Sequence, residues 1–414
     1  MPNDNRTEYR RSNVFFAEIF GVASDDPDAN GRNTVRVGHM SDQIWFWQRI
    51  VSPHMASLAA ALARRGHEVI YVAEQEMTPQ RAAQGWSPTS LGGASLRLVP
   101  AASSVQELVS HAPSDSIHIC QGLRGNGLVS VAQKVLAKRG LRQWVIMETV
   151  DDSGWRGLLK RLEYARLLRL WRQKVEGALA IGSVTSQWLV ERGMPYDRVF
   201  PFAYFLPPSR VQVRSSTGSN SSFRFLFVGR LIELKRVDLL LSAISRLHGF
   251  HFEFIIVGSG PLERELRAQA DKDLPGRVTF LGQRGIGEIS SIMAGADCLV
   301  LPSRYDGWGA VVSEALMVGT PAICSDACGS SVVVRASGHG GVFPSGDSTA
   351  LAELLKDVLE KGRLMPDQRF RLAKWSERLG ADAGAHYLEA ILTHVRSPHF
   401  VASPAAPWTI GNLA

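Results

Sequence analysis

Short apolar runs alternate with helix-length segments in two separate blocks of this chain. In the first block, Thr34–His39, Glu68–Ala73, Ser116–Cys120, Gln143–Met147 and Ala178–Ile181 read as strands, and Pro53–Arg65 reads as an Ala- and Leu-rich helix closed by Gly66. In the second, Phe223–Val228, Phe252–Val257, Val278–Leu281, Cys298–Leu301 and Pro321–Ser325 read as strands. Buried-type strands spaced by helices belong to a parallel sheet covered on both faces. Between the blocks, Pro207–Pro208 and a Ser-, Gly- and Asn-rich run from Ser215 to Ser222 have the composition of a linker. A chain of 414 residues also exceeds a single hydrophobic core. The expectation is therefore α/β: doubly wound domains at 34–205 and 223–384, a linker at 206–222, and a cleft outside the strand carboxyl ends. Residues 1–33 read as a flexible arm, 385–396 as a C-terminal helix and 397–414 as a loose tail.

Hydrophobic residues at 45% and charged residues at 21% exclude wholesale disorder and collagen-like repeats. Apolar runs such as Met55–Ala63 fall short of the ~18–20 residues that span a bilayer. The first residues lack the basic, apolar, small-residue order of a secretory signal, so a cytoplasmic protein is expected. Cys120, Cys298, Cys324 and Cys328 are too scattered for a disulfide framework, and Cys324 and Cys328 have no nearby histidine or second cysteine pair for zinc. Buried thiols are the expectation, with no metal site.

The net charge of +7 is concentrated. Arg156, Lys160, Arg161, Arg166, Arg169, Arg172 and Lys174 face Glu163 alone within 155–174. Trp155, Leu158, Leu159 and Leu162 share one face of the same segment, and beyond Arg166 the apolar face rotates toward Leu167, Leu168, Leu170 and Trp171. Either this helix lies on an anionic membrane surface or it wraps the first domain with its basic face solvated. Its local character argues against a nucleic-acid partner, for which no module is visible.

Three segments of the second block carry chemistry. A strand delivers Gly229, with Arg230 beside it and Lys235 near the next helix, two cations suited to a diphosphate. The next strand runs into Gly258-Ser259-Gly260-Pro261, either a glycine loop that lets backbone approach a nucleotide or simply a tight turn. In the third, Asp306 and Glu314 bracket Gly307, Trp308 and Gly309, so carboxylates and free backbone N–H groups can meet a hydroxylated ligand. Glu314 stands on an otherwise apolar helix, which argues against a merely solvated charge.

In this order the three segments resemble the donor-binding domain of retaining nucleotide-sugar glycosyltransferases of family four, which have the GT-B fold. The matching residues are Gly229-Arg230-Leu231, Lys235, Val257–Pro261, Asp306 to Glu314, and Gly319-Thr320-Pro321, with a fainter match at Arg64-Arg65-Gly66-His67-Glu68-Val69. The resemblance implies two Rossmann-like domains facing a central cleft, an acceptor-binding N-terminal one and a donor-binding C-terminal one, with the C-terminal helix returning to the first. It implies transfer of a sugar from a UDP- or GDP-linked donor to a saccharide or lipid-linked acceptor in polysaccharide or glycoconjugate synthesis, with no metal or other cofactor. Arg230, Lys235 and Asp306 become the catalytic set. Gly229, Gly258, Gly260, Gly307, Trp308, Gly309 and Glu314 become donor-binding, with Glu314 on the ribose. Asp306 departs from the family's usual glutamate and is one methylene shorter.

On the acceptor side, the family's glycine pair is replaced by a loop read over His39–Trp47, whose Trp45 and Trp47 either stack on an acceptor or pack beneath the loop. His118 and Glu148 lie at strand ends where either can face the cleft, although a lone histidine in an apolar strand is more often a core residue. The rival readings are a nucleotide-sugar epimerase, a phosphorylase (which needs a pyridoxal lysine not evident here) and a non-catalytic sugar-nucleotide-binding subunit. Asp306 is the one feature favouring the last.

Overall fold

The computed structural model describes residues 42–79, 89–152, 154–209 and 222–410. The arm at 1–33 and the strand expected at Thr34–His39 lie outside them. The first sheet contains β1 (Gln43–Ile50), β2 (Glu68–Gln75), β3 (Ser95–Leu98), β4 (Ile117–Gln121), β5 (Arg142–Glu148), β6 (Gly177–Ile181) and β7 (Val199–Phe202). All are parallel, in the order β3-β2-β1-β4-β5-β6-β7. The second contains β8 (Phe223–Val228), β9 (Phe252–Val257), β10 (Val278–Gly282), β11 (Cys298–Leu301), β12 (Ala322–Ser325) and β13 (Gly340–Phe343), also parallel, in the order β10-β9-β8-β11-β12-β13. Each sheet reverses its strand order beside its first strand, at β1/β4 and at β8/β11. A crevice opens at such switch points, beyond the carboxyl ends of the strands.

The loop expected to reach Trp47 is instead, from Gln43 onward, the central strand β1. Every residue from Ile44 to Trp47 is buried because the strand is covered on both faces. Ile44 and Phe46 join the larger core with Met55 and Leu58, while Trp45 and Trp47 pack with Val105, Val109 and Leu136. The unanticipated β3, β7 and β13 all lie at sheet edges, where strands need not be apolar throughout and where β7 tolerates Pro201.

The chain crosses between the sheets at two adjoining places. Leu206 N–H donates to Leu379 O (3.0 Å) and Ala381 N–H to Leu206 O (2.8 Å). The following helix, Ala381–Arg396, lies against the Pro53–Arg64 helix. There Arg64 pairs with Asp382 (2.6 Å) and Arg65 with Glu389 (2.6 Å), above buried Leu388, Ile391 and Leu392. The tail expected to be loose from Ser397 is anchored instead. Trp408 is buried with its ring 6.4 Å from Phe205 and 6.0 Å from Trp308, so it braces the crossover against the loop after β11. Truncating a buried Trp typically costs about 3 kcal/mol or more, so Trp408 is a substantial anchor for this tail. Among the described residues, no helix is long and apolar enough to cross a membrane.

Candidate active site

β8 ends in the turn Gly229-Arg230-Leu231, which interlocks with the glycine loop after β9. Leu231 N–H donates to Ser259 O (3.0 Å) and Leu262 N–H to Leu231 O (3.2 Å). A Cβ on Gly258, whose φ is +132°, would stand 1.9 Å from Gly229 O, and one on Gly260 would stand 2.3 Å from Leu231 O. The two glycines expected to admit a nucleotide are thus required first for backbone packing, and that packing holds the turn bearing Arg230. Arg230 is exposed and makes no hydrogen bond or ion pair with the described residues.

Lys235, in a short 3-10 turn, reaches Asp306, 71 positions away, at 2.5 Å. Backbone bonds fix both partners: Arg304 N–H donates to Leu234 O (2.8 Å), Asp306 N–H to Ala327 O (3.1 Å) and Gly329 N–H to Asp306 O (2.9 Å). One methylene shorter than glutamate, Asp306 still closes on the lysine. Gly309 adopts φ +82°, a left-handed conformation in which a Cβ would also strike Leu301 at 2.7 Å, and it starts the Ala310–Met317 helix. The Trp308 side chain faces inward. Its ring is buried, with Nε1–H donating to Ser313 Oγ (3.1 Å), so this position offers only its backbone.

Glu314, on the Ala310–Met317 helix, is partly buried and makes no hydrogen bond or ion pair with the described residues. Burial pushes its carboxyl up to about 7 from an ordinary 4.5. The folded protein therefore keeps a proton that the unfolded chain sheds, so this group opposes folding increasingly as pH rises from about 4.5 to 7 and not below that window.

Facing this set across a cleft of about 570 Å³ is the carboxyl-end rim of the first sheet, with Gln48, Arg49, His54, Arg124, Asn126 and Glu148 opposite Asp306, Gly309 and Ala310. His54 stacks on Tyr204, centroids 4.8 Å apart. The two sides touch. The Tyr305 hydroxyl donates to Thr149 O and lies 3.0 Å from Thr149 Oγ1, and burial pushes its phenol up to about 12, which keeps the donor proton in place. Ser183 N–H donates to Gly329 O (3.1 Å). A Cβ on Gly307 would fall 2.0 Å from Glu148 Oε2, so the missing side chain is what admits that carboxylate beside the donor loop.

Of the four acceptor-side candidates, only Glu148 lines the cleft. His118 is fully buried, accepts from Trp47 Nε1–H at Nδ1 (3.1 Å) and meets Ser116 Oγ at Nε2 (2.9 Å). Burial, with Arg139 adding to it, drives its pKa down to about 3, so it is a neutral core residue. Trp45 and Trp47 stack on each other at 5.9 Å beside it, below the Ala102–His111 and Val129–Arg139 helices, and cannot reach an acceptor. Gln48, Arg49, His54, Asn126 and Tyr305 were not anticipated. The helix start at Ser52-Pro53, directly after an apolar run, is a local signal from which this rim could have been found.

The Gly154–Trp171 helix turns its apolar stripe outward: Trp155, Leu158, Leu159 and Leu162 are 74, 55, 60 and 62% exposed. Tyr164 and Leu168 supply its buried side instead. Arg161, Arg166 and Arg169 are also exposed, while Tyr164 lines the cleft and Glu163 pairs with Arg124 of its rim (2.7 Å).

Residues 211–375 match the family model described as glycosyl transferases group 1. The amylovoran biosynthesis glycosyltransferase AmsK of Erwinia amylovora is 30% identical over 196 residues, 45% of this chain and 48% of that protein. A phosphatidyl-myo-inositol mannosyltransferase of Mycolicibacterium smegmatis is 27% identical over 348 residues, 80% of this chain and 85% of the relative. The chain spans about half the length of the first curated relatives it matches. Among solved structures, Anabaena HepE in complex with UDP superposes with a TM-score of 0.66 at 14% identity, covering 85% of this chain and 99% of that one. Residues 211–375 are thus similar to the glycosyl transferases group 1, and the two parallel sheets across a cleft are the GT-B fold.

Proposed function

We propose that this protein transfers a sugar from a nucleotide-diphosphate donor to a hydroxyl of a saccharide or lipid-linked acceptor, with retention at the anomeric carbon. The observation that carries this is the Lys235–Asp306 pair beside the switch point of the second sheet, with exposed Arg230 directly after β8 and Glu314 on the helix that follows β11. HepE, crystallised with UDP, makes a UDP-linked donor the first choice, with GDP the second. The donor diphosphate lies between Arg230 and Lys235 and separates Lys235 from Asp306. The released Asp306 carboxylate then takes a hydroxyl of the donor sugar, and Glu314 takes the ribose. As the bond to the anomeric carbon breaks, negative charge grows on the diphosphate and both cations stabilise it, a role that a bound metal fills elsewhere. The departing phosphate oxygen accepts the acceptor's proton on the same face. Release of UDP or GDP from UDP-glucose, UDP-galactose and GDP-mannose in EDTA tests this, and no release from any of them overturns it.

Glu314 gives a pH signature. A ribose that hydrogen-bonds to its carboxylate favours the ionised form, so donor binding expels a proton and affinity falls as pH drops from about 7 toward 4.5. Calorimetric titration at pH 6 in buffers of different ionisation enthalpy should show up to one proton released, and Glu314→Gln should abolish that release. Equal heats in both buffers for the unmodified protein would remove Glu314 from the site.

The same proposal places the Gly154–Trp171 helix on an anionic membrane surface. Its outward apolar stripe and basic residues complement a negatively charged leaflet, at about 1 kcal/mol per basic residue near the surface. Its contact with the cleft rim through Glu163 and Tyr164 suits an acceptor whose lipid end stays in the bilayer. The M. smegmatis relative, by its name, acts on a lipid. Sedimentation with phosphatidylglycerol vesicles should capture the protein, and phosphatidylcholine vesicles should not. The double variant Leu159→Glu/Leu162→Glu should weaken capture at least about tenfold. Concentration-dependent dimerisation without vesicle capture would assign the stripe to a second copy instead.

A further inference from the structure

The amides of Gln48 and Asn126 form, we propose, an acceptor subsite that grips a neutral hydroxylated ring, a saccharide or polyol headgroup. This rests on the transferase reading above and names what its acceptor half recognises. Gln48 stands near the end of β1, and Asn126 stands in the loop after β4, the neighbouring strand across which the first sheet reverses its order. Both are only 4% exposed, and both line the cleft that Asp306 faces from the other side. Among the described residues Gln48 Nε2 has no hydrogen-bond partner, and neither has Asn126 Oδ1. The Asn126 amide is held in one orientation, because its Nδ2 donates to Gln121 O (2.9 Å) and Gly122 O (3.2 Å). Flipping it would lose both bonds and set its oxygen against two carbonyls.

The cleft rim thus presents one buried donor and one buried acceptor. A hydroxyl both gives and takes a hydrogen bond, so adjacent hydroxyls on a ring satisfy both amides. A phosphate or carboxylate satisfies Gln48 but meets the lone pairs of Asn126, and an ammonium group fails in the opposite way. The cations nearest this rim do not overturn that preference, because Arg49 is tied to Glu74 (3.5 Å) and Arg124 to Glu163 (2.7 Å). A site that leaves buried polar groups unpaired rejects ligands lacking the matching hydroxyls, which makes this pair a determinant of specificity.

The test titrates the full chain with UDP and GDP, then, in the presence of whichever binds, with methyl α-D-glucopyranoside, methyl α-D-galactopyranoside, methyl α-D-mannopyranoside, myo-inositol and, as an anion, glycerol 3-phosphate, read by saturation-transfer NMR. At least one neutral polyol should bind. Gln48→Met, which keeps the shape and removes the donor, should weaken that binding about tenfold. Unchanged nucleotide affinity in the variant confirms that it is folded. The subsite is overturned if nucleotide binds but none of the polyols does, if glycerol 3-phosphate is preferred to all of them, or if Gln48→Met binds polyol like the unmodified protein. If neither nucleotide binds, the transferase reading fails first and takes the subsite with it.

Discussion

Lys235→Ala is expected to lower sugar transfer by about two to three orders of magnitude at saturating donor, the usual consequence of removing one preorganised group from developing negative charge. Lys235 is mostly buried and held 2.5 Å from Asp306 on a turn tied by backbone to the loop after β11, so its ammonium is in place before the donor arrives. The loss should appear chiefly in kcat, because charge on the diphosphate grows as the bond breaks. Arg230→Ala should act in the same sense. Asp306→Asn offers an informative contrast: it removes the carboxylate that competes with the diphosphate for Lys235, so donor affinity should rise while transfer falls. Thermal unfolding of each variant separates these effects from loss of fold. A Lys235→Ala protein that turns over within about threefold of the unmodified one would exclude the charge-stabilising role.

The second large effect is expected from a position with no polar side chain. Where the sheets' loops meet, Gly182, Gly307 and Gly329 stack backbone on backbone. A Cβ on Gly329 would stand 1.9 Å from Gly307 O and 2.8 Å from Gly182 Cα. Neither neighbour is a flexible side chain that can swing aside, so Gly329→Ala should wedge the two rims apart. It should also break the Ser183–Gly329 bond and draw Gly307 away from Glu148. A misplacement of about 1 Å between reacting groups costs up to about 100-fold. Gly329→Ala should therefore lower transfer about 10- to 100-fold and weaken donor binding less, because the displaced Gly307 adjoins Asp306 whereas Arg230 and Glu314 lie on other elements. Calorimetry of donor binding beside a transfer assay checks both halves. Unimpaired transfer would mean that this glycine contact is not part of the working geometry.

The charged loops of the second sheet were legible in the sequence because their parts are contiguous. A strand end, a cation, a second cation at the next helix and a pair of acidic residues eight positions apart follow from local order, and folding only had to bring Lys235 to Asp306. The inward packing of the Trp308 ring is not legible locally, because it lies 6.0 Å from Trp408, a hundred positions away in a tail that composition alone makes look loose. The first sheet's rim of the cleft is assembled from the ends of β1, β4 and β5 and from the loop after β4, and no single stretch of chain contains it. Trp45 and Trp47 drew attention as aromatic residues near an unusual loop, yet an unbroken apolar run is what a central strand requires on both faces. His118 was equally prominent as a residue type and equally internal as a position. Gln48 and Asn126, by contrast, are unremarkable in sequence and become informative only once their burial and unmatched amide atoms are known. The outward turn of the Trp155–Leu162 stripe was likewise undecided by periodicity, which finds a face without saying which way it points.

The central claim is a nucleotide-diphosphate site built from Arg230, Lys235 and Glu314. Calorimetric titration of the full chain with UDP, GDP and ADP in EDTA, repeated with Lys235→Ala, tests it most directly. One diphosphate should bind without metal, with affinity falling as pH drops below 7 and weakening sharply in the variant. Absence of binding by all three, or binding that Lys235→Ala leaves intact, would contradict it.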